Sequence, residues 1–184
     1  MAYPSKTSRE TILAAAVARV EEGGLQGLSL RALAASLEVA PNALYRYFSS
    51  RSALEAAIAR EVSRLLKEEM ERGLGNGDPR QTLRDIARAY LEFARRRPKL
   101  YDLILRPCDT SAGEDDSQED LWEFVVKHVS ALTGAARAAE AAVALWAFLH
   151  GMVQLEAVKN LEKPEVSFEF GLDAWLEKGG LPER

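Results

Sequence analysis

Apolar side chains recur at helical spacing along almost the whole chain, and that periodicity leaves little room for anything but an all-α fold. Ile12, Leu13, Ala16, Val17 and Val20 form one stripe, and Leu54, Ile58, Val62, Leu65 and Leu66 form another. Residues three and four apart share a helix face, whereas a half-buried strand alternates at every second residue. No such alternating run is present. Glycine and proline punctuate the helical pattern. The spacing predicts a first helix from near Thr7 or Ser8 to Gly23-Gly24, and a short linker over 25–28. A second helix is opened by Ser29 and closes near Leu37, and a third, short one runs from Pro41 to about Phe48. A longer helix follows from Ser49 or Ser52 to Arg72. It breaks at Gly73-Leu74-Gly75-Asn76-Gly77, which reads as a turn, not a phosphate-binding loop.

The rest of the chain continues in the same manner. A helix over roughly 80–97, striped by Leu83, Ile86, Ala87, Tyr90, Leu91 and Ala94, is stopped by Pro98. Arg95, Arg96 and Arg97 fall in its last turn, where cations favour the carbonyl end; a second nucleic-acid patch is the less favoured reading. Residues 107–118 lack an apolar period and read as an acidic loop. Ser117 is expected to cap a helix carrying Leu121, Trp122, Val125, Val126, Val129 and Leu132, closed by Gly134. A long helix over about 136–161 and a last one capped by Ser167 complete a set of about nine helices without a sheet or an internal repeat. The expected division is a three-helix unit over 1–50, a connecting helix over about 51–72, and a second helical domain over 73–184.

Composition narrows the function classes. The 184 residues are 47% hydrophobic, enough to bury a core. A net charge of −4 argues against a protein that coats nucleic acid through bulk electrostatics. The charge is unevenly spread: residues 1–60 hold seven Lys/Arg against five Asp/Glu, a net of +2, and 61–184 hold seventeen against twenty-three, a net of −6. The longest uninterrupted apolar run, Ala141 to Leu149, is about half the length a bilayer needs, so no membrane span is expected. The first residues lack the apolar core of a signal peptide, and the lone Cys108 suits a reducing compartment, so a cytoplasmic location is expected. An enzyme is disfavoured. Only His128 and His150 are available, no nucleophile elbow or phosphate loop occurs, and one cysteine cannot build a zinc site. No cofactor or metal is expected, and a purely structural helical dimer is a further, weak alternative.

The informative stretch runs from Leu28 to Leu54. Leu30, Leu33, Ala34 and Leu37 turn one face of the second helix inward, Val39 plugs the turn, and Leu44 and Phe48 anchor the third helix. Pro41, Asn42, Ala43, Tyr45, Arg46 and Tyr47 are left exposed on a helix too short to be stable alone. That chemistry suits a major groove. An arginine at 46 can hold guanine edges bidentately, an asparagine at 42 can pair with adenine, and Pro41 or Ala43 can touch thymine methyls. Tyr45 and Tyr47 can donate to phosphates, and Ser29 and the segment Ser49 to Arg51 offer further donors that set register.

Leu-Arg-Ala-Leu-Ala, followed by Leu-Glu-Val-Ala-Pro-Asn-Ala-Leu-Tyr-Arg-Tyr-Phe and Arg-Ser-Ala-Leu, resembles the TetR-type repressor signature over residues 9 to about 60. The resemblance implies an N-terminal helix-turn-helix that binds double-stranded operator DNA and a C-terminal helical domain for ligand binding and dimerisation. It implies a homodimer that blocks transcription until a small molecule binds; an activator or auxiliary regulator of the same fold is the alternative. Carried over residue by residue, Ser29 and Arg31 contact backbone or base, Pro41, Asn42, Ala43, Tyr45, Arg46 and Tyr47 line the groove, and Arg51 grips a phosphate. Three positions depart from the pattern. Glu38 stands where the family turns on glycine and puts a negative charge near the DNA-facing turn, Ala40 replaces a capping Ser or Thr, and Asn42 replaces a small residue. Losing the cap costs roughly 1 kcal/mol.

Downstream, the segment from Leu145 to Leu155, with Trp146, His150 and Gly151, looks like the WHG-type C-terminal domain of a subset of these regulators. Trp146 and His150 share a helix face, and Gly151 would admit a neighbouring helix. The expected effector pocket is largely apolar, lined by Tyr90, Phe93, Tyr101, Ile104, Trp122, Phe124, Trp146 and His150. The long helix is apolar nearly all round and needs more than one neighbour. The expected dimer interface therefore pairs Leu149, Met152 and Leu155 with Phe168, Leu172 and Trp175 of the last helix.

Overall fold

The computed structural model describes residues 7–75, 77–104 and 117–179, with backbone alone for 117 and 118. Cys108 and most of the acidic segment expected at 107–118 lie outside the described residues. Among those described, nine α-helices and no strand are present: α1 Arg9–Gly23, α2 Leu30–Ser36, α3 Pro41–Leu44, α4 Arg51–Arg72, α5 Pro79–Arg96, α6 Pro98–Tyr101, α7 Ser117–Thr133, α8 Ala138–Ala157 and α9 Pro164–Gly179. Single 3₁₀ turns at Leu25–Gly27 and Ala135–Arg137 lead into α2 and α8. The chain divides into two compact units, Met1–Leu65 with Arg97–Gln118, and Leu66–Arg96 with Glu119–Arg184.

In the first unit, α1 starts where Ser8 accepts a bond from the Thr11 amide at 3.1 Å, and stops at Gly24, whose φ of 70° suits glycine. Its stripe Ile12, Ala16, Val17 and Val20 is buried, as are Leu33, Leu44, Phe48, Leu54, Ile58 and Val62. Ser50, not Ser49 or Ser52, caps α4 by accepting from the Ala53 amide at 3.0 Å. Pro98 does more than end a helix. It occupies the first position of α6, where its missing N–H is no loss, and α6 packs on α1. Lys99 donates to the Glu22 carbonyl, and Arg97 pairs with Glu21 at 3.3 Å.

In the second unit, α5 buries Leu83, Ile86, Ala87, Tyr90, Leu91, Phe93 and Ala94, and packs on α8. Pro164 opens α9, so Ser167 lies inside that helix and does not cap it; α7 likewise already includes Ser117. Arginines one turn apart on α5 grip the acidic side of α9. Arg84 bonds Asp173 and, at 3.4 Å, Glu169; Arg88 reaches Glu169 at 2.9 Å; Arg80 donates to the Leu176 carbonyl at 2.9 Å. Arg95 makes a two-point pair with Glu156 at 2.7 Å, and Arg96 holds the Glu69 carboxyl below the usual carboxylate range. Arg95, Arg96 and Arg97 each carry an ion pair at the surface, to Glu156, Glu69 and Glu21, in keeping with the structural reading of that cluster. Against α8, α9 packs Phe168 on Phe148 in parallel, 6.2 Å between ring centroids. A Cβ at Gly171 would sit inside the van der Waals shell of the Phe148 ring, so only glycine allows that approach.

The phase of α8 is narrow. Ala138, Ala142, Leu145, Leu149 and Met152 are its buried side chains, while Val143, Trp146 and Leu155 remain exposed. By length and composition alone Ala135–Ala157 is apolar enough to cross a membrane: an 18-residue window within it has a mean hydropathy of 1.3, and 28% of that window is buried.

Candidate nucleic-acid interface

The turn between α2 and α3 is built from backbone bonds. Ser29 caps α2 by accepting from the Ala32 amide at 3.3 Å, and the Val39 amide returns to the Ala34 carbonyl at 3.0 Å. Closing so tightly puts Glu38 at a φ of 54°, the left-handed region that side chains resist, and Glu38 stands there in place of a glycine. Pro41 then sets the first turn of α3, and Ala40, which precedes it, offers no side-chain cap. α3 is shorter than the expected 41–48: four helical residues, then a turn over 45–47 closed by Tyr47 and Phe48 amides bonding the Leu44 carbonyl, both at 3.0 Å.

Buried Leu44 and Phe48 fix the depth of this segment, and its polar residues are left outside. Tyr45 is 51% exposed, and Pro41, Asn42 and Arg46 are exposed too, with Ala43 half-buried. Among the described residues Arg46 makes no hydrogen bond or ion pair, and its cation is available. Ser29 and Arg31 are exposed at the start of α2. Arg51 carries an ion pair with Glu55 at 2.7 Å on the surface. Such a pair contributes about 1 kcal/mol at most, so a phosphate can displace it.

Tyr47 departs from expectation. It is half-buried, and its phenol donates to the Thr7 carbonyl at 2.8 Å instead of standing free. Arg9, which the motif does not include, donates to the Tyr47 carbonyl at 3.0 Å and lies 4.4 Å over the Phe48 ring. A depression of about 410 Å³ opens beside this arrangement, with Arg9, Arg46, Arg60, Tyr45 and Ser49 in its wall. Arg9 and Arg60 stand outside the Leu28 to Leu54 stretch, at the two ends of the span over which the resemblance runs, and the fold brings them beside the turn; sequence spacing gave no signal for either.

The residues expected around an effector do not share one setting. Tyr90, Phe93 and Phe124 are buried in the second unit, and His150 is half-buried there, where burial holds its imidazole below the ordinary histidine value. Trp122 and Trp146 are 38% and 40% exposed, so neither lines an interior, because neighbouring positions occupy the inward stripes. Tyr101 and Ile104 belong to the first unit.

The expected dimer set also needs correction. Leu149, Met152, Phe168 and Leu172 are buried within their own unit and have no surface left for a partner. Leu155 is exposed and Trp175 half-buried. Besides Trp122, the large apolar residues left outside in this unit are Val143, Trp146, Leu155 and Val158 on and just past α8, with Val166 and Phe170 on α9, Phe170 at 77%. Gly151 is half-exposed, and a Cβ there would meet nothing within 4 Å, so among the described residues no helix uses the room it leaves.

Known proteins agree with this architecture. Residues 12–58 match the description "Bacterial regulatory proteins, tetR family", and residues 83–175 match "Tetracyclin repressor-like, C-terminal domain", a span that contains the Trp146 to Gly151 segment. The HTH-type transcriptional repressor KstR of Mycolicibacterium smegmatis is 34% identical over 113 residues, 59% of this chain and 55% of that protein. The chain spans about half the length of the curated relatives it matches. A protein of unknown function from Rhodococcus sp. RHA1 superposes with a TM-score of 0.78 at 24% identity, covering 96% of each chain. A TetR variant from Acinetobacter baumannii AYE, solved with minocycline, gives 0.70 at 25% identity over 94% of this chain and 96% of that one. With more than half of its length matched across both halves, the chain belongs to the tetR family of bacterial regulatory proteins.

Proposed function

We propose that the chain is a cytoplasmic, homodimeric repressor that reads operator DNA through the α3 segment and leaves it when a small, largely apolar molecule binds the second unit. One observation carries the DNA reading: a short helix pinned by buried Leu44 and Phe48 turns Asn42, Tyr45 and Arg46, the last without an ion pair among the described residues, outward. Arg46 serves as the bidentate base reader, Asn42 as the second, and Ser29, Arg31, Tyr45 and Arg51 hold backbone. The relatives named as repressors support the sign of regulation.

Dimerisation follows from what α8 and α9 leave uncovered. Val143, Trp146, Leu155, Val166 and Phe170 are apolar and exposed on helices otherwise packed. A second copy laid on them buries both sets at once, as a two-fold interface requires. In the dimer, two α3 segments about 34–36 Å apart enter successive major grooves. Effector binding draws on the buried aromatic residues Tyr90, Phe93 and Phe124, with His150 as a polar group at their level of the sequence pattern, and it acts by changing that separation. The minocycline complex of the Acinetobacter protein supports a small-molecule effector in general.

A gel-shift on the DNA upstream of the gene tests the reading. The expected result is a sequence-specific complex that Arg46→Ala abolishes and Arg51→Ala weakens on all sequences alike. Absence of any specific complex from the wild-type chain would overturn it.

A further inference from the structure

A helix of one turn cannot hold its own direction, and α3 has neither a side-chain cap nor length. Leu44 and Phe48 set how deep it lies, but apolar contacts are non-directional. Beyond its own backbone bonds, this segment is tied to the start of α1 by two directional bonds. Tyr47 donates its phenol to the Thr7 carbonyl at 2.8 Å, and Arg9 donates its guanidinium to the Tyr47 carbonyl at 3.0 Å. Two stretches some forty residues apart thus exchange bonds in opposite senses. The same guanidinium lies 4.4 Å over the Phe48 ring, so it touches the anchor as well as the backbone next to it. The α1 end of this exchange is itself fixed, by the Ser8 cap and by fully buried Ile12.

We propose that Arg9 and Tyr47 are positioning residues for base reading: they aim Asn42, Tyr45 and Arg46 from behind and do not themselves contact DNA. The inference rests on the DNA-reading function proposed above, and it gives Tyr47 a different task from the phosphate donor its place in the motif suggests. A bidentate arginine loses its geometry when it is displaced by about 1 Å, whereas contacts to phosphate from flexible cations tolerate that shift. Loosening the staple therefore lowers discrimination between sequences and leaves general affinity alone.

The test uses the full chain and two duplexes, one selected by the wild-type protein from a random-sequence library and one scrambled to the same composition. Kd is measured on both for Tyr47→Phe, Arg9→Gln and Arg9→Lys, with concentrations corrected for the folded fraction from each variant's denaturation curve. Tyr47→Phe and Arg9→Gln are expected to reduce the preference for the selected duplex about tenfold, the scale of one lost base contact, with the scrambled Kd unchanged. Arg9→Lys, which keeps a cationic donor, is expected to recover most of the preference. Equal loss on both duplexes would identify a phosphate contact and overturn the proposal, as would an unchanged preference. The two variants cut opposite halves of the exchange, so one that failed to fold leaves the other to decide. A wild-type chain that selects no duplex would overturn the DNA-reading function itself, a result visible before any variant is made.

Discussion

Helices α3 and α8 are both incomplete, in opposite senses. α3 has four residues and no side-chain cap, so it is short of internal bonds; α8 has twenty residues and an unbroken ladder, but leaves Val143, Trp146 and Leu155 outside, so it is short of burial. The deficit of α3 is met inside its own unit, by two buried anchors and by bonds from α1. Its polar side chains are then free to face a ligand. The deficit of α8 is not met by the described residues of its unit, and the remaining face is where the proposed second copy would lie. A segment completed by its neighbours displays chemistry, and one left uncompleted displays surface.

The comparison is broken most severely at the anchors. Phe48→Ala removes both a buried ring and the platform under Arg9, and is expected to cost about 3–5 kcal/mol in chemical denaturation, with loss of the DNA complex. If α3 instead kept its place and its binding, it would not be dependent on its neighbours at all. Next comes the open face. Phe170→Arg is expected to leave folded monomers in sedimentation velocity, and to weaken operator binding roughly a hundredfold or more by separating the two reading heads. Dimers that survive this change would place the partner elsewhere.

Two smaller tests sharpen the contrast. Glu38→Gly with Ala40→Ser relieves a left-handed backbone and restores a cap, so the first unit should gain about 1 kcal/mol while the second is unaffected. Proteolysis of the folded state, read at cleavage sites in each unit, checks where the gain falls. The smallest effect belongs to His150. Its folded-state affinity for a proton is depressed by burial, so the unfolded chain protonates first, and stability should fall as pH drops through about 6.5. His150→Gln should flatten that part of the profile, and an NMR titration of the imidazole should show its midpoint below the ordinary value.

Much of this was legible in the sequence, for physical reasons that can be stated. Ser8, Gly24, Ser29 and Pro41 mark helix ends through local bonding and φ preferences, so the first three helices begin where their residues indicate, although α3 stops at Leu44 and not near Phe48. Pro98 reads in sequence as a stop, yet the same lack of an N–H that ends one helix begins the next, as Pro164 also does for α9. The inward stripe of α8 was not legible. Where nearly every position is apolar, periodicity carries no phase, and Leu149 and Met152 were assigned outward although their own unit buries them. Trp122 and Trp146 stand among the expected pocket residues, Trp146 because it shares a helix face with His150, yet both are partly exposed. The Arg9 to Tyr47 exchange was invisible because it joins positions 38 apart, a distance no local pattern spans.

The seam between α5 and α9 carries one more consequence. Glu165, Glu169, Asp173 and Glu177 repeat every four residues, so sliding α9 by one turn would offer Arg84 and Arg88 the same kind of partner again. The charges therefore choose a rotation, and with it the outward aim of Phe170, but they cannot choose a translation. That choice falls to Gly171 beneath the Phe148 ring. The positions one turn to either side are Ser167 and Trp175, and neither can slip under an aromatic edge that excludes even a methyl group. One missing side chain thus indexes a helix whose ion pairs alone would leave it degenerate.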